Sequence, residues 1–72
     1  MSISYNKLWK VLIDRNMKKT DLIKKCNIDS NILAKMGKKQ YISLRSLEKI
    51  CSKLNCNIED IIEFEKGEDN NV

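Results

Sequence analysis

The residues with the most distinctive chemistry lie between positions 30 and 38, in a stretch whose apolar residues recur with helical spacing. At about 100° per residue from Ser30, the arc from roughly 0° to 140° carries hydrogen-bonding groups, one methyl group and cations, on Ser30, Asn31, Ala34, Lys35 and Lys38. The arc from roughly 200° to 300° is apolar and carries Ile32, Leu33 and Met36. Base edges in the major groove of DNA present donors, acceptors and the thymine methyl, which an acid-free arc of this composition complements. The spacing therefore predicts a helix that contacts the bases of double-stranded DNA.

Residues suited to catalysis or metal binding are scarce in this chain. It has no histidine, and its two glycines, Gly37 and Gly67, do not form a phosphate-binding loop. The three cysteines, Cys26, Cys51 and Cys56, each lie in or beside an apolar pattern, where a thiol acts as a small hydrophobic group. We therefore expect buried, reduced thiols and no enzyme activity, and we expect no cofactor, no metal ion and no small-molecule ligand.

The charge of the chain is unevenly distributed. Its net charge is +4, but residues 1–56 contain 13 Lys/Arg against 4 Asp/Glu, whereas residues 57–72 contain 1 against 6. A basic body with an acidic end suggests a polyanion as the partner of the body. On charge alone, a lysine-rich surface that merely confers solubility is an equally good interpretation.

The length and hydropathy of the chain limit where it can act. Its 72 residues predict one domain, close to the smallest size at which a single core suffices without metal or disulfide. No apolar run approaches the roughly 18 residues of a membrane span, and the first four residues have no signal-peptide character. We expect a cytoplasmic protein that does not associate with membranes.

The first half of the sequence predicts three helices. The first spans Tyr5 to about Arg15, with an inward stripe formed by Leu8, Val11 and Leu12. The second spans about Lys19 to Lys25 and ends at Asn27, a residue that tolerates the left-handed conformation of a sharp hinge. Asp29 is a favourable N-cap for the third helix, which is predicted over Ser30–Gly37.

The second half predicts two more helices. After a loop over residues 38–42, Ser43 caps a long fourth helix that reaches about Leu54, with inward residues Leu44, Leu47, Ile50, Cys51 and Leu54. Asn57 and Asp60 form a capping pair for a short fifth helix, whose buried face is Ile58, Ile61 and Ile62. Residues 65–72 are acidic and predicted to be disordered. These elements predict an all-α domain of five short helices over residues 1–64.

With these elements, the chain resembles the Cro/C1-type (Xre-family) helix-turn-helix domains, which have the lambda-repressor-like fold. The most specific part is the helix-turn-helix unit, residues 19–38, whose apolar positions are filled by Leu22, Cys26, Ile28, Leu33 and Met36. The later segment YISLRSLEKICSKLNCNIEDII also resembles the family's fourth and fifth helices. The chain departs from the family pattern at three positions: Asn27 replaces the usual hinge glycine, Ile23 a usual alanine and Lys19 a usual glutamine.

The resemblance implies that the third helix lies in the major groove of double-stranded DNA. The residues then expected to contact bases are Ser30, Asn31, Ala34 and Lys35. Those expected to contact phosphates are Lys19, Thr20, Lys38, Lys39, Gln40 and Tyr41. The implied function is sequence-specific regulation of transcription, as a repressor.

A single small domain makes few base contacts, so we expect a homodimer, formed either in solution or only on DNA. Its operator would be pseudo-palindromic, with half-site centres about 10 base pairs apart. The expected dimer surface is either the fifth helix with Phe64 or the exposed side of Trp9 and Tyr5. The alternative function is a protein–protein module, such as an antitoxin-like or adaptor protein on the same scaffold, anchored through Trp9 and Tyr41.

Overall fold

The computed structural model describes residues 2–66 and contains four α-helices, one turn of 3₁₀ helix and two short strands. In chain order these elements are β1 (Ser2–Ser4), α1 (Asn6–Asp14), α2 (Asp21–Lys25), α3 (Ser30–Gly37), α4 (Leu44–Leu54), the 3₁₀ turn (Ile58–Asp60) and β2 (Glu63–Glu65). The helical helix-turn-helix architecture agrees with the sequence-based prediction. Within the described residues, however, the expectation of five helices and no sheet is wrong.

The predicted fifth helix is reduced to the 3₁₀ turn. Its capping pair is present, because a carboxylate oxygen of Asp60 accepts the N–H of Asn57 at 3.0 Å. The chain leaves the helical conformation after one turn, since the residues that follow extend into β2 and pair with β1. Of the three isoleucines expected on its buried face, Ile61 is buried and Ile62 half-buried, but Ile58 is 41% exposed.

Strands β1 and β2 bring the two ends of the described chain together. They pair antiparallel, with Ile3 opposite Phe64 and Ser2 opposite Glu65. Ile3 is buried in the core, so the pairing fixes β2 against the helices. The predicted acidic tail, residues 65–72, begins in this strand at Glu65, and residues 67–72 lie outside the described part of the chain.

The core is formed by the apolar stripes of the helices together with both flanking segments. Its buried apolar residues are Ile3, Tyr5, Leu8, Leu12, Leu22, Cys26, Ile28, Met36, Leu47, Ile50, Leu54 and Ile61. Leu44 was expected to face inward but is 75% exposed, because it begins α4 beside the open groove between that helix and the 3₁₀ turn. The three thiols are free, with Cys26 buried as expected and Cys51 and Cys56 only half-buried.

Four residues in the described chain have left-handed backbone, and three of them are asparagines: Asn16, Asn27 and Asn55, with Lys39 the fourth. A short polar side chain makes asparagine the most tolerant residue for this conformation after glycine. Asn55 ends α4 in this way, and the following N–H of Cys56 donates to the carbonyl of Cys51 at 3.0 Å. Such caps set the short connections between the helices.

Candidate nucleic-acid interface

The hinge between α2 and α3 orients the helix predicted to contact bases. Asn27 has a φ of 55°, as its expected left-handed role requires, and its neighbours Cys26 and Ile28 are both buried. Helix α2 starts at Asp21, two residues later than expected. The carboxylate of Asp21 accepts the N–H of Lys18 at 2.8 Å, which closes the turn that precedes the helix. The hinge is thus fixed by burial on both sides of one left-handed residue.

Helix α3 has the bounds predicted from the sequence, Ser30–Gly37. Its start is fixed by Asp29, whose backbone is extended and whose carboxylate accepts the N–H of Asn31 at 3.0 Å. The same residue's carbonyl accepts the N–H groups of Ile32 and Leu33. This cap pairs three of the first backbone donors of the helix, those of Asn31, Ile32 and Leu33.

The two sides of α3 differ as the helical spacing predicts. Met36 is buried, and Ile32 and Leu33 are half-buried against the core. The opposite side is exposed and comprises Ser30, Asn31, Ala34 and Lys35. The structure therefore presents the four predicted base-contacting side chains together on one accessible face, while their contacts with DNA remain a prediction.

A left-handed turn at Lys39 ends α3 and directs the chain into the following loop. The N–H of Gln40 donates to the carbonyl of Lys35 at 2.9 Å, and the N–H of Lys39 donates to that of Met36 at 3.1 Å. These two bonds, with a φ of 59° at Lys39, make a Schellman motif. The motif leaves four predicted phosphate-contacting side chains exposed just beyond the helix: Lys38, Lys39, Gln40 and Tyr41.

Tyr5 fixes this loop from the interior. It is 1% exposed, and its hydroxyl donates to the carbonyl of Gln40 at 2.6 Å. Burial raises the pKa of the phenol above its usual value, so the hydroxyl remains a donor further into alkaline solution. Tyr5 therefore does not offer the exposed dimer surface expected from the sequence. The sequence contains no local signal of this contact, because the two residues are 35 positions apart.

Lys19 and Thr20, the other predicted phosphate contacts, lie in the turn that precedes α2, and both are exposed. The ammonium of Lys19 is 4.4 Å from the ring centroid of Trp9, a cation–π contact that orients its side chain. The Thr20 hydroxyl makes no capping bond to α2. Trp9 is half-buried against the core, so only part of its ring is available to a partner.

The sequence pattern of the Cro/C1-type HTH DNA-binding domain matches residues 7–67, which is most of the chain. The chain belongs to this family. The crystal structure of the transcriptional regulator VanUg, form II, is similar to it, with 50% sequence identity and a TM-score of 0.83 over 86% of this chain and 83% of that chain. No protein with a curated description matches it.

Within this Cro/C1-type domain, β2 carries two of the acids that follow the basic body. Between described residues there are two ion pairs, Lys7 with Glu63 at 3.9 Å and Lys39 with Glu65 at 3.2 Å. The second joins Lys39, a predicted phosphate contact, to Glu65, the first residue of the acidic segment that was predicted to be disordered. Its position on a strand paired with β1 depends on residues more than 60 positions away.

None of the helices in residues 2–66 of this Cro/C1-type domain has both the length and the apolar character that crossing a bilayer requires. These residues also contain no group of three or more Cys, Asp or Glu side chains placed to share a metal ion.

Proposed function

We propose that this protein is a sequence-specific, double-stranded-DNA-binding transcriptional repressor that inserts α3 into the major groove. The observation that carries the proposal is the exposed, acid-free face of a capped helix in a Cro/C1-type domain. Asn31 has the donor and acceptor needed for a bidentate bond to adenine, and Lys35 can donate to guanine O6 and N7. Ser30 can bond either kind of base edge, and Ala34 is suited to contact a thymine methyl.

Phosphate contacts on both sides of α3 would set its position in the groove. One set lies in the turn before α2, at Lys19 and Thr20, and the other in the loop after α3, at Lys38, Lys39, Gln40 and Tyr41. The ordered geometry of both segments supports this role: Trp9 orients Lys19, and Tyr5 fixes the carbonyl of Gln40. Such contacts supply affinity without sequence preference, whereas the side chains of α3 supply discrimination.

We propose further that two copies bind a pseudo-palindromic operator, with half-sites about one helical turn apart. Support comes from the exposed apolar residues Leu44 and Ile58, which line the groove between α4 and the 3₁₀ turn. A second copy would cover this surface and double the base contacts. If the operator overlaps a promoter, the bound dimer would block access to that promoter, which is the basis of the proposed repression. The similarity to VanUg, a transcriptional regulator, supports a regulatory role.

A gel shift with random-sequence DNA tests the groove contact. The Lys35→Glu variant places an acid in the exposed face of α3, so we expect it to lose binding because of repulsion from the bases and phosphates. Lys10→Glu is the matched control, since it makes the same charge change on the exposed face of α1. Binding lost only in Lys35→Glu supports the proposal. Equal loss in both variants would indicate a general charge effect.

The same assay distinguishes DNA binding from the alternative function, a protein–protein module. If the wild-type protein shifts no DNA at any accessible concentration, the DNA-binding proposal fails and a protein–protein module remains. If it binds, a reporter gene with the selected site placed over its promoter tests the direction of regulation. We expect the wild-type protein to lower expression of the reporter and the Lys35→Glu variant to leave it unchanged.

A further inference from the structure

We infer that Glu65 sets the DNA affinity of this domain by competing with phosphate for the ammonium of Lys39. The inference rests on the proposed function, in which Lys39 contacts the DNA backbone. It adds that the free protein already provides this lysine with an anion. DNA binding would then exchange a carboxylate for a phosphate at one side chain.

The carboxylate of Glu65 is well placed for this competition. The Nζ atom of Lys39 is 3.2 Å from Oε1 and 3.3 Å from Oε2, so both oxygens lie within hydrogen-bond distance. The hydroxyl of Ser2 on β1 makes a longer bond to Oε1 at 3.4 Å. Ser2 and Glu65 are also partners in the β-sheet, so the backbone from which the carboxylate extends is fixed next to β1.

The backbone of Lys39 is also constrained. It is held in the left-handed conformation by the Schellman motif at the end of α3, and the next carbonyl accepts the hydroxyl of Tyr5. The side chain of Lys39 therefore leaves the loop from a fixed point, and the carboxylate of Glu65 is its partner in the free protein. A phosphate that approaches the loop competes with this partner.

Solvent exposure makes the exchange possible. The side chain of Lys39 is 51% exposed and that of Glu65 is 38% exposed, so water screens the pair and it is weak. A DNA backbone, by contrast, presents closely spaced phosphates whose condensed counterions are released when a lysine replaces them. The pair should thus reduce affinity without preventing binding, and the carboxylate left beside the DNA should reduce the salt dependence.

The chain offers a matched control on the same strand. Glu63 is also a β2 acid with a lysine partner, but it pairs with Lys7 on α1 at 3.9 Å, outside the proposed phosphate contacts. Glu63→Gln and Glu65→Gln change the net charge equally and keep side-chain size. Any excess effect of Glu65→Gln therefore reports its contact with Lys39 and not the overall charge.

The test measures binding of the full chain to its selected operator by fluorescence anisotropy over a range of salt concentrations. We expect Glu65→Gln to bind about 3-fold more tightly per subunit, hence about 10-fold for a dimer, as removal of a weak exposed pair allows. The log–log salt slope should steepen by up to about one per subunit. Glu63→Gln should change affinity by less than about 2-fold, since its lysine stays away from the DNA.

A second background identifies the lysine responsible. In the Lys39→Gln variant, adding Glu65→Gln should give no more gain than Glu63→Gln does, because the ammonium that it frees is absent. The inference is overturned if Glu65→Gln and Glu63→Gln gain equally, if Glu65→Gln gains nothing, or if the gain persists without Lys39. Circular-dichroism melting of each variant verifies folding. If Glu65→Gln is unstable, Glu65→Asp replaces it; because its carboxylate reaches less far towards Lys39, we expect an intermediate gain in DNA affinity.

The outcomes for the two proposals are distinct. Wild-type protein that binds no DNA in the selection or the gel shift contradicts the proposed function itself. Wild-type protein that binds its operator, with an affinity that Glu65→Gln leaves unchanged, contradicts only the competition between Glu65 and phosphate.

Discussion

The phenolic hydroxyl of Tyr5 donates a 2.6 Å hydrogen bond to the main-chain carbonyl of Gln40. Tyr5 lies between β1 and α1, whereas Gln40 belongs to the loop that follows the proposed recognition helix. The contact joins the N-terminal segment to the loop that carries most of the proposed phosphate contacts. A buried residue far from the helix-turn-helix unit thereby contributes to the geometry of the DNA-binding face.

Replacement of Tyr5 by phenylalanine tests what this hydrogen bond contributes to the stability of the fold. Tyr5→Phe keeps the ring but removes the donor to Gln40, so we expect the free energy of unfolding to fall by about 1 kcal/mol. Tyr41→Phe is the matched control, since Tyr41 is 62% exposed, and its stability should be unchanged. Urea denaturation measures both. A Tyr5→Phe variant as stable as the wild type would show that the bond contributes nothing to the fold.

The helix proposed to contact bases was predictable from the sequence because its determinants are local. Asp29 caps it, Asn27 permits the hinge, and the helical spacing of its apolar residues defines which side faces the core. Each of these signals acts within a few residues of its target. The bounds of α3 and the exposure of its polar face were accordingly predicted without error.

The sheet was not predictable in the same way. Ser2–Ser4 and Glu63–Glu65 each alternate polar and apolar residues, but a three-residue alternation is too short to distinguish a strand from a loop. Their pairing depends on packing between the two ends of the chain, which no local pattern records. The contacts of Tyr5 with Gln40 and of Glu65 with Lys39 depend on that packing too, so sequence reasoning missed them. The prediction that Leu44 faces inward was wrong for a related reason, because helical spacing cannot show where a neighbouring element ends.

Lys39→Gly should raise the free energy of unfolding and weaken DNA binding. The left-handed conformation is sterically unfavourable for lysine but not for glycine, so the free energy of unfolding should rise by up to about 1 kcal/mol. Loss of the weak ion pair with Glu65 should offset a small part of this gain. Lys38→Gly provides the comparison, since Lys38 has a φ of −100° and should only lose stability. Both variants should bind DNA more weakly. Equal destabilisation of the two in urea would contradict the proposed strain at Lys39.

Stability should decline at alkaline pH in part because of Cys26. Burial raises the pKa of this thiol above its usual value of about 9, although Lys25 and Lys53 partly oppose the shift. The thiol is protonated in both states well below pH 9, and as the pH rises through that value it ionises first in the unfolded chain. The free energy of unfolding should therefore fall above pH 9, by at most about 1.4 kcal/mol per pH unit for one group.

Urea denaturation under reducing conditions at several pH values tests this expectation. The Cys26→Ala variant should be less stable than the wild type at pH 7 because it leaves a small cavity, but its decline above pH 9 should be shallower. Parallel pH profiles for the two proteins would show that the Cys26 thiol is not the group responsible.

The proposed dimer surface can be tested with one exposed leucine. Leu44→Asp introduces charge into the groove between α4 and the 3₁₀ turn, where Leu44 is 75% exposed, so the monomer should fold normally. On the operator, we expect loss of the complex that contains two subunits, observed by sedimentation or as the slower band in a gel shift. Ile13→Asp is the control, because Ile13 is 72% exposed on α1 outside this groove. Equal effects of the two substitutions would place the dimer contact elsewhere.

Selection of bound sites from a random oligonucleotide pool, with the wild-type protein and with Asn31→Ala and Lys35→Ala, tests the central claim most directly. The account predicts a pseudo-palindromic wild-type site. Each variant should lose preference at one symmetric pair of positions, by about 1–3 kcal/mol of discrimination, with the rest of the site unchanged. Sites that are identical for all three proteins, or the absence of any enriched sequence with the wild type, would contradict base recognition by α3.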